Sequence, residues 1–307
     1  MRVLFMGTPD IAATCLDILI KSGIEVVACV SQPDKPKGRG HKLMPTDVKA
    51  KAEELNIPVY QPEKLKNGEL LPILDELKPD LIAVVAYGKI LPKYILDYPK
   101  YGCVNMHVSL LPKLRGAAPI QWAVINGDEV TGVTTMLMEE GLDTGDILLQ
   151  KGFGIGEYET SEELFDRMAK EGGEILSETI QNIENITPRP QNHDEHTYAP
   201  MISKEMAHID WNKTTAEISK LICGMNSWPM AYSIYCGEVM KIITARKGEF
   251  CDGKNGEIVG YEKGKGLRVK TQDGSIYIQV AQFAGSKRMG IDEYLRGHEI
   301  KYGTVLE

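Results

Sequence analysis

Apolar positions in the first half of the chain fall into short blocks separated by stretches of helical spacing. "RVLFM" and "EVVACVS" are runs rich in β-branched residues, and between them Asp10 to Ser22 reads as a helix ending at Gly23. Thr46 is placed to cap a second helix through "DVKAKAEELN". The alternation continues with the strand "DLIAVVAY", a helix in "KILPKYILD", a strand over "CVNMH", a helix from Pro119 and the strand "GVTTMLME". "DILLQKGF" adds a strand, and helical spacing then holds from Ser161 to about Ile186, opened by a capping box read from "SEELF" at Ser161 to Phe165. Alternation of this kind implies an α/β domain built on a doubly wound, mainly parallel sheet.

The second half has a different pattern. "TPRPQNHDEHTYAPMIS" has no period and reads as an ordered linker. One helix follows in "TAEISKLICGMN", then short strands broken by glycine-bearing turns: "AYSIYCGEVMKIITARK", "GEIVGYEKGKGLRVKT" and "GSIYIQV". These predict a smaller antiparallel β-barrel of OB-like type, a fold that often binds nucleic acid. The expected organisation is an α/β domain over residues 1–188, a linker over 189–206 and the barrel over 207–307.

At 307 residues the chain suits two domains, and 43% hydrophobic with 25% charged residues is ordinary for a globular protein. No apolar run approaches the roughly 18 residues of a membrane span. The N-terminus runs straight into a strand pattern, unlike a signal peptide. Six scattered cysteines without a CxxC pair suggest reduced thiols. A cytoplasmic protein with no membrane partner is therefore expected, and a monomer. Net charge of −8 argues against nucleic acid, but its distribution does not. Residues 35–51 hold six basic residues (Lys35, Lys37, Arg39, Lys42, Lys49, Lys51) against the single acid Asp47. An acidic protein with one basic segment can hold a polyanion there.

The first strand–helix turn, "MGTPDIA", carries one glycine, Gly7, with Pro9 where dinucleotide folds have another glycine. Binding of NAD, FAD or a nucleotide there is not expected. A stronger signal lies in "CVNMHVSLLPKLRG". Side chains alternate along a strand, so Asn105 and His107 share a face. They lie at the carboxyl end of a strand, where open α/β sheets place their ligand sites. Cys103 shares that face as core filler. An acid able to orient the imidazole is offered by "MEEGLDTGDIL", with Asp143 in a turn between Gly141 and Gly145. Glu139, Glu140 and Asp146 remain alternatives. His193 and His196 are spaced for a metal but lie in a proline-rich loop without a third ligand, and no metal is expected.

"NMHVSLLPKLRGAAPIQWAVINGD" followed by "EEGLDTGDIL" resembles the folate-dependent formyltransferase family, whose signature is N-x-H, then S-L-L-P-x-x-R-G, then an Asp in D-x-G-x-I. "MGTPDIA", "QPDKPKGRGHKLMPTDVK", "TYAPMISKEMAHIDW", "SKRM" and "LRG" resemble the branch acting on methionyl-tRNA. Cys223, where that branch usually carries Arg, and Ser227, where Pro is common, depart from it. The resemblance implies transfer of formyl from 10-formyltetrahydrofolate to the amino group of initiator methionyl-tRNA. It assigns Asn105, His107 and Asp143 to catalysis. Ser109, Leu110, Leu111 and Pro112, with Gly88, Ile90 and Leu91, would line the folate site. Lys35, Lys37, Arg39 and Lys42 would meet the acceptor stem.

Two rival functions fit part of this pattern. A sugar-amine formyltransferase would keep N-x-H and SLLP but has no need of the basic insertion. A non-catalytic RNA-binding protein would keep the barrel and the basic loop, with no reason to hold Asn105, His107 and Asp143.

Overall fold

The computed structural model describes residues 1–37 and 42–307, which form two compact units. The first comprises Met1–Ala117, Val130–Phe153 and Phe165–Ala199; the second comprises Ala118–Glu129, Gly154–Leu164 and Pro200–Glu307.

Ten strands are met in the first part of the chain: β1 (Arg2–Gly7), β2 (Glu25–Val30), β3 (Lys35–Lys37), β4 (Lys42–Met44), β5 (Val59–Tyr60), β6 (Leu81–Val85), β7 (Cys103–His107), β8 (Arg115–Gly116), β9 (Val130–Leu137) and β10 (Ile147–Gly154). Seven form one sheet in the order β10-β9-β7-β6-β1-β2-β5. Its centre is parallel, and β9 runs antiparallel to β7. Val3 to Met6 are fully buried, as expected of a central strand covered on both faces. Helix α1 (Asp10–Lys21) follows β1 and α2 (Asp47–Glu54) follows β4. A side chain at Gly7 would lie 2.6 Å from the Cβ of Ala12, so this glycine admits the start of α1 against the strand.

Thr46 caps α2 as its position predicts, its hydroxyl accepting from the Lys49 N–H at 3.2 Å. Helix α3 (Leu71–Leu77), hidden in a leucine-rich run, is not legible in the sequence pattern. The helix expected in "KILPKYILD" is one turn, α4 (Lys93–Leu96), because proline favours a helix start and Pro92 sets its N-cap. Helix α5 (Pro119–Asn126) begins as read, and α6 runs over Ser161–Asn182. The capping box of α6 starts one residue earlier than the expected Ser161. Thr160 N–H donates to Glu163 Oε2 at 2.8 Å, and Glu163 N–H donates back to Thr160 Oγ1 at 3.2 Å. Only Thr160 has a glutamate three residues on. Ser161 is buried, its hydroxyl given to the Asn226 carbonyl.

Within the basic segment, the described residues of β3 and β4 pair antiparallel, with Lys35 opposite Met44 and Lys37 opposite Lys42. Arg39 lies outside the described residues. Part of the segment's charge is neutralised locally: Lys49 pairs with Asp34 at 2.7 Å and Lys51 with Glu54 at 2.8 Å. Lys35 donates to Gln32 Oε1 at 3.2 Å.

In the second unit, α7 (Thr215–Gly224) opens with a capping box between Thr214 and Glu217. After β11 (Tyr198–Ala199) come β12 (Tyr232–Tyr235), β13 (Glu238–Gly248), β14 (Ile258–Glu262), β15 (Gly266–Lys270), β16 (Ser275–Gln282) and β17 (Met289–Gly290). These last six form an antiparallel sheet in the order β12-β13-β16-β15-β14, with β17 on β16. Register shifts in β13–β16 and β14–β15 mark bulges, which bend strands and curl the sheet into its OB-like form. Trp211, Ile218, Ile222, Met240, Leu267 and Ile278 fill its core. Cys223 is buried, and burial pushes its thiol pKa up.

Candidate active site

Strand β7 places Asn105 and His107 on one face, while Met106 alternates to the other and meets Gly172 of α6. Cys103 is buried, and burial pushes its thiol up to about 12. Asn105 is half-buried; His107 is buried. The imidazole Nε2 lies 3.0 Å from the carbonyl oxygen of Leu114, which can only accept, so Nε2 carries a hydrogen. Nδ1 lies 3.8 Å from Asp143 Oδ2. That is too long for a hydrogen bond, so the two groups communicate through charge. Nδ1 is therefore the ring nitrogen left open to a reacting group.

Asp143 reaches this position by a route the sequence does not suggest. Because β9 is antiparallel, its last residue, Leu137, pairs with Val104 near the amino end of β7. The 138–146 loop therefore leaves from the opposite edge and returns to His107. Asp143 holds φ at +52°, and its Oδ2 accepts the Gly116 N–H at 2.9 Å. Leu114 is also left-handed, at φ +57°. Each such residue costs about 1–2 kcal/mol, so the surrounding bonds must hold it. Glu139 and Glu140 are exposed, and of the four candidate acids it is Asp143 that faces the imidazole.

The Ser109–Pro112 segment is pinned from several sides. Ser109 Oγ donates to the Lys113 carbonyl at 2.6 Å, and Thr134 Oγ1 donates to the Ser109 carbonyl at 2.6 Å. Leu111 N–H donates to Thr134 Oγ1 at 3.2 Å, and Gln150 Nε2 to the Leu111 carbonyl at 2.9 Å. Leu111 is buried beside Met136 and Ile147, while Leu110 and Pro112 are half-buried. Beyond β6, Gly88 has φ +80°, and a side chain there would meet the Gln32 amide. Leu91 is buried in the core, whereas Ile90 is 87% exposed, an apolar surface without an internal packing role.

Residues 1–180 match the family described as formyl transferase, and residues 201–299 match the formyl transferase C-terminal domain. The chain belongs to the formyl transferase family. It is 48% identical to the methionyl-tRNA formyltransferase of Alkaliphilus oremlandii (strain OhILAs), across 100% of this chain and 99% of that one. It is also 48% identical to the methionyl-tRNA formyltransferase of Clostridioides difficile (strain 630), covering 100% of both. Among solved structures, HypX from Aquifex aeolicus in complex with tetrahydrofolic acid shares the fold with a TM-score of 0.66 and 18% identity, over 98% of this chain and 50% of that one. An N-formyltransferase from Helicobacter canadensis, in complex with folinic acid and dTDP-3-aminofucose, gives 0.65 and 20%, over 94% and 100%.

Two further buried side chains meet beside these residues: Arg115, the arginine of the S-L-L-P-x-x-R-G run, and Gln191. Arg115 is buried, and burial pushes its pKa down while Asp143 and Glu139 pull it up. Its Nε and Nη2 donate to Gln191 Oε1 at 3.2 and 2.7 Å. Gln191 belongs to the supposed linker, where a polar residue among prolines gives no signal of burial. His193 Nδ1 accepts from Arg115 Nη2 at 3.1 Å, and His196 Nδ1 donates to the His193 carbonyl at 2.7 Å. Among the described residues, no three His, Cys, Asp or Glu side chains cluster as metal ligands.

Proposed function

We propose that this formyl transferase moves the formyl group of 10-formyltetrahydrofolate onto the amino group of initiator methionyl-tRNA, as a cytoplasmic monomer. The observation that carries the chemistry is Asn105 and His107 on one face of β7, with His107 Nδ1 beside the Asp143 carboxylate. Attack of a neutral amine on a formyl carbon builds a tetrahedral oxyanion. The Asn105 amide and His107 Nδ1–H donate to that oxygen; each such preplaced donor is worth roughly 2.7–4 kcal/mol. Asp143, its carboxylate 3.8 Å from His107 Nδ1, helps carry the amine proton toward the folate nitrogen that leaves, directly or through water. The exposed Ile90 with Gly88, Leu91 and the Ser109–Pro112 segment fits the flat, largely apolar pterin, with backbone groups at its edge.

Similarity along the full chain to methionyl-tRNA formyltransferases supports the acceptor, since the sugar-directed neighbour is only 20% identical. The unpaired cysteines agree with a reducing compartment. The experiment is formyl transfer from the folate donor to purified methionyl-tRNA, beside a dTDP-amino sugar. Formylation of the sugar alone overturns this reading.

The basic segment supplies the phosphate contacts. Arg39→Ala combined with Lys42→Ala raises KM for methionyl-tRNA and flattens its salt dependence. The log–log slope drops by about 0.7–0.9 for each phosphate no longer neutralised. Michaelis kinetics for both substrates across salt concentrations check this. Unchanged tRNA kinetics, or a loss confined to the folate, would remove the segment from tRNA recognition.

A further inference from the structure

We infer that Gln191 is a positioning residue for Asp143, and that the segment read as a linker is part of the catalytic apparatus. The inference rests on the formyl-transfer reading of this site. Gln191 is 5% exposed. Its Nε2 donates to the carbonyls of Asp143 and Gly145 at 2.9 and 2.7 Å, and its Oε1 accepts from Nε and Nη2 of Arg115. The amide therefore spends both N–H groups on the turn that carries the catalytic acid.

That turn needs external support. Asp143 is left-handed, and a side chain at Gly145 would collide with the Leu137 carbonyl. Holding an aspartate at φ +52° requires bonds from outside the turn. Gly116 N–H fixes the carboxylate, and Gln191 fixes the backbone on both sides of Thr144.

The segment is held where it can do this. Arg189 and Ile147 exchange backbone bonds at 2.8 and 2.9 Å, laying residue 189 beside the start of β10. Two residues on, Gln191 reaches the Asp143 turn. Arg189 Nη2 donates to Gln150 Oε1 at 2.7 Å, and Gln150 in turn holds the Leu111 carbonyl. One extended stretch thus braces both loops that flank His107.

The test uses the full-length enzyme. Gln191→Glu keeps an acceptor for Arg115 but loses both donors to the turn. Its kcat should fall about 10- to 100-fold, the scale of a misplacement near 1 Å, with KM for both substrates near the parent value. In an Asp143→Asn background the same change should cost little more, because a positioning residue has nothing left to position. Losses that multiply across the two sites, or a Gln191→Glu enzyme with parental kcat, overturn the inference. Gln191→Met is the second variant should the first fold poorly; it keeps length, introduces no charge and is held to the same criteria. A crystal structure of either variant is independent of turnover. Displacement of the Asp143 carboxylate from His107 is expected, and an unmoved turn overturns the inference. An inactive parent enzyme would count against the assigned reaction instead, leaving the crystallographic result to decide on Gln191.

Discussion

His107→Ala and Asn105→Ala should each lower kcat for formyl transfer by about 10²–10³-fold, the scale for losing one oxyanion donor, while tRNA affinity stays nearly unchanged. In the proposed reaction both groups donate to the developing charge rather than to the nucleic acid, so their loss should appear in the transition state. The geometry sharpens the expectation for His107. Its Nε2–H is held by the Leu114 carbonyl, which leaves Nδ1 as the ring nitrogen open to the reacting groups. Asparagine puts an amide nitrogen near the Nδ1 position, whereas glutamine reaches the Nε2 position. His107→Asn should therefore retain more activity than His107→Gln, and glutamine should resemble alanine. Single-turnover rates at saturating donor, with tRNA binding measured separately, provide the check. If glutamine outperforms asparagine, the donor is Nε2 and the ring must turn during the reaction. Near-parental turnover in either alanine variant would remove that residue from the chemistry.

Both fold classes, the mainly parallel sheet and the OB-like second unit, are legible in the change of hydrophobic period near residue 187. That legibility follows from what burial demands: β1 is hydrophobic on both faces because both are covered, and the later strands are broken by turn residues. The Asn105–His107 pair is legible for the converse reason, since two polar side chains on one face of a core strand need a special environment. The route by which Asp143 reaches His107 is not legible in local pattern, because β9 runs antiparallel to β7 and the loop after it starts beside the amino end of β7. Gln191 escapes the pattern because its burial depends on a partner, Arg115, 76 residues away. No periodicity records a contact made between an irregular segment and a turn. The basic cluster is legible as charge, yet Lys49 and Lys51 are paired with Asp34, Asp17 and Glu54, all outside residues 35–51. Net charge over a short segment overstates what a surface offers.

Asp143→Asn should reduce kcat by about 10²–10⁴-fold, the range associated with positioned acid–base help, without unfolding the protein. Asparagine is the informative replacement because it isolates charge from geometry. It is among the residues that tolerate a left-handed backbone, so φ +52° can be kept. Its amide oxygen can still accept the Gly116 N–H, and the backbone carbonyl still receives Gln191. What disappears is the negative charge 3.8 Å from His107 Nδ1. Asp143→Ala should be no more active, and less stable, because it also removes the Gly116 bond and the tolerance for this backbone. Steady-state kinetics over a pH series and thermal melting of both variants separate the two effects. An Asp143→Asn enzyme with parental kcat and parental pH–rate profile would move the acid's role to Glu139, Glu140 or Asp146. The exposed Glu139 and Glu140 would then have to reach the imidazole by a rearrangement of the 138–146 loop.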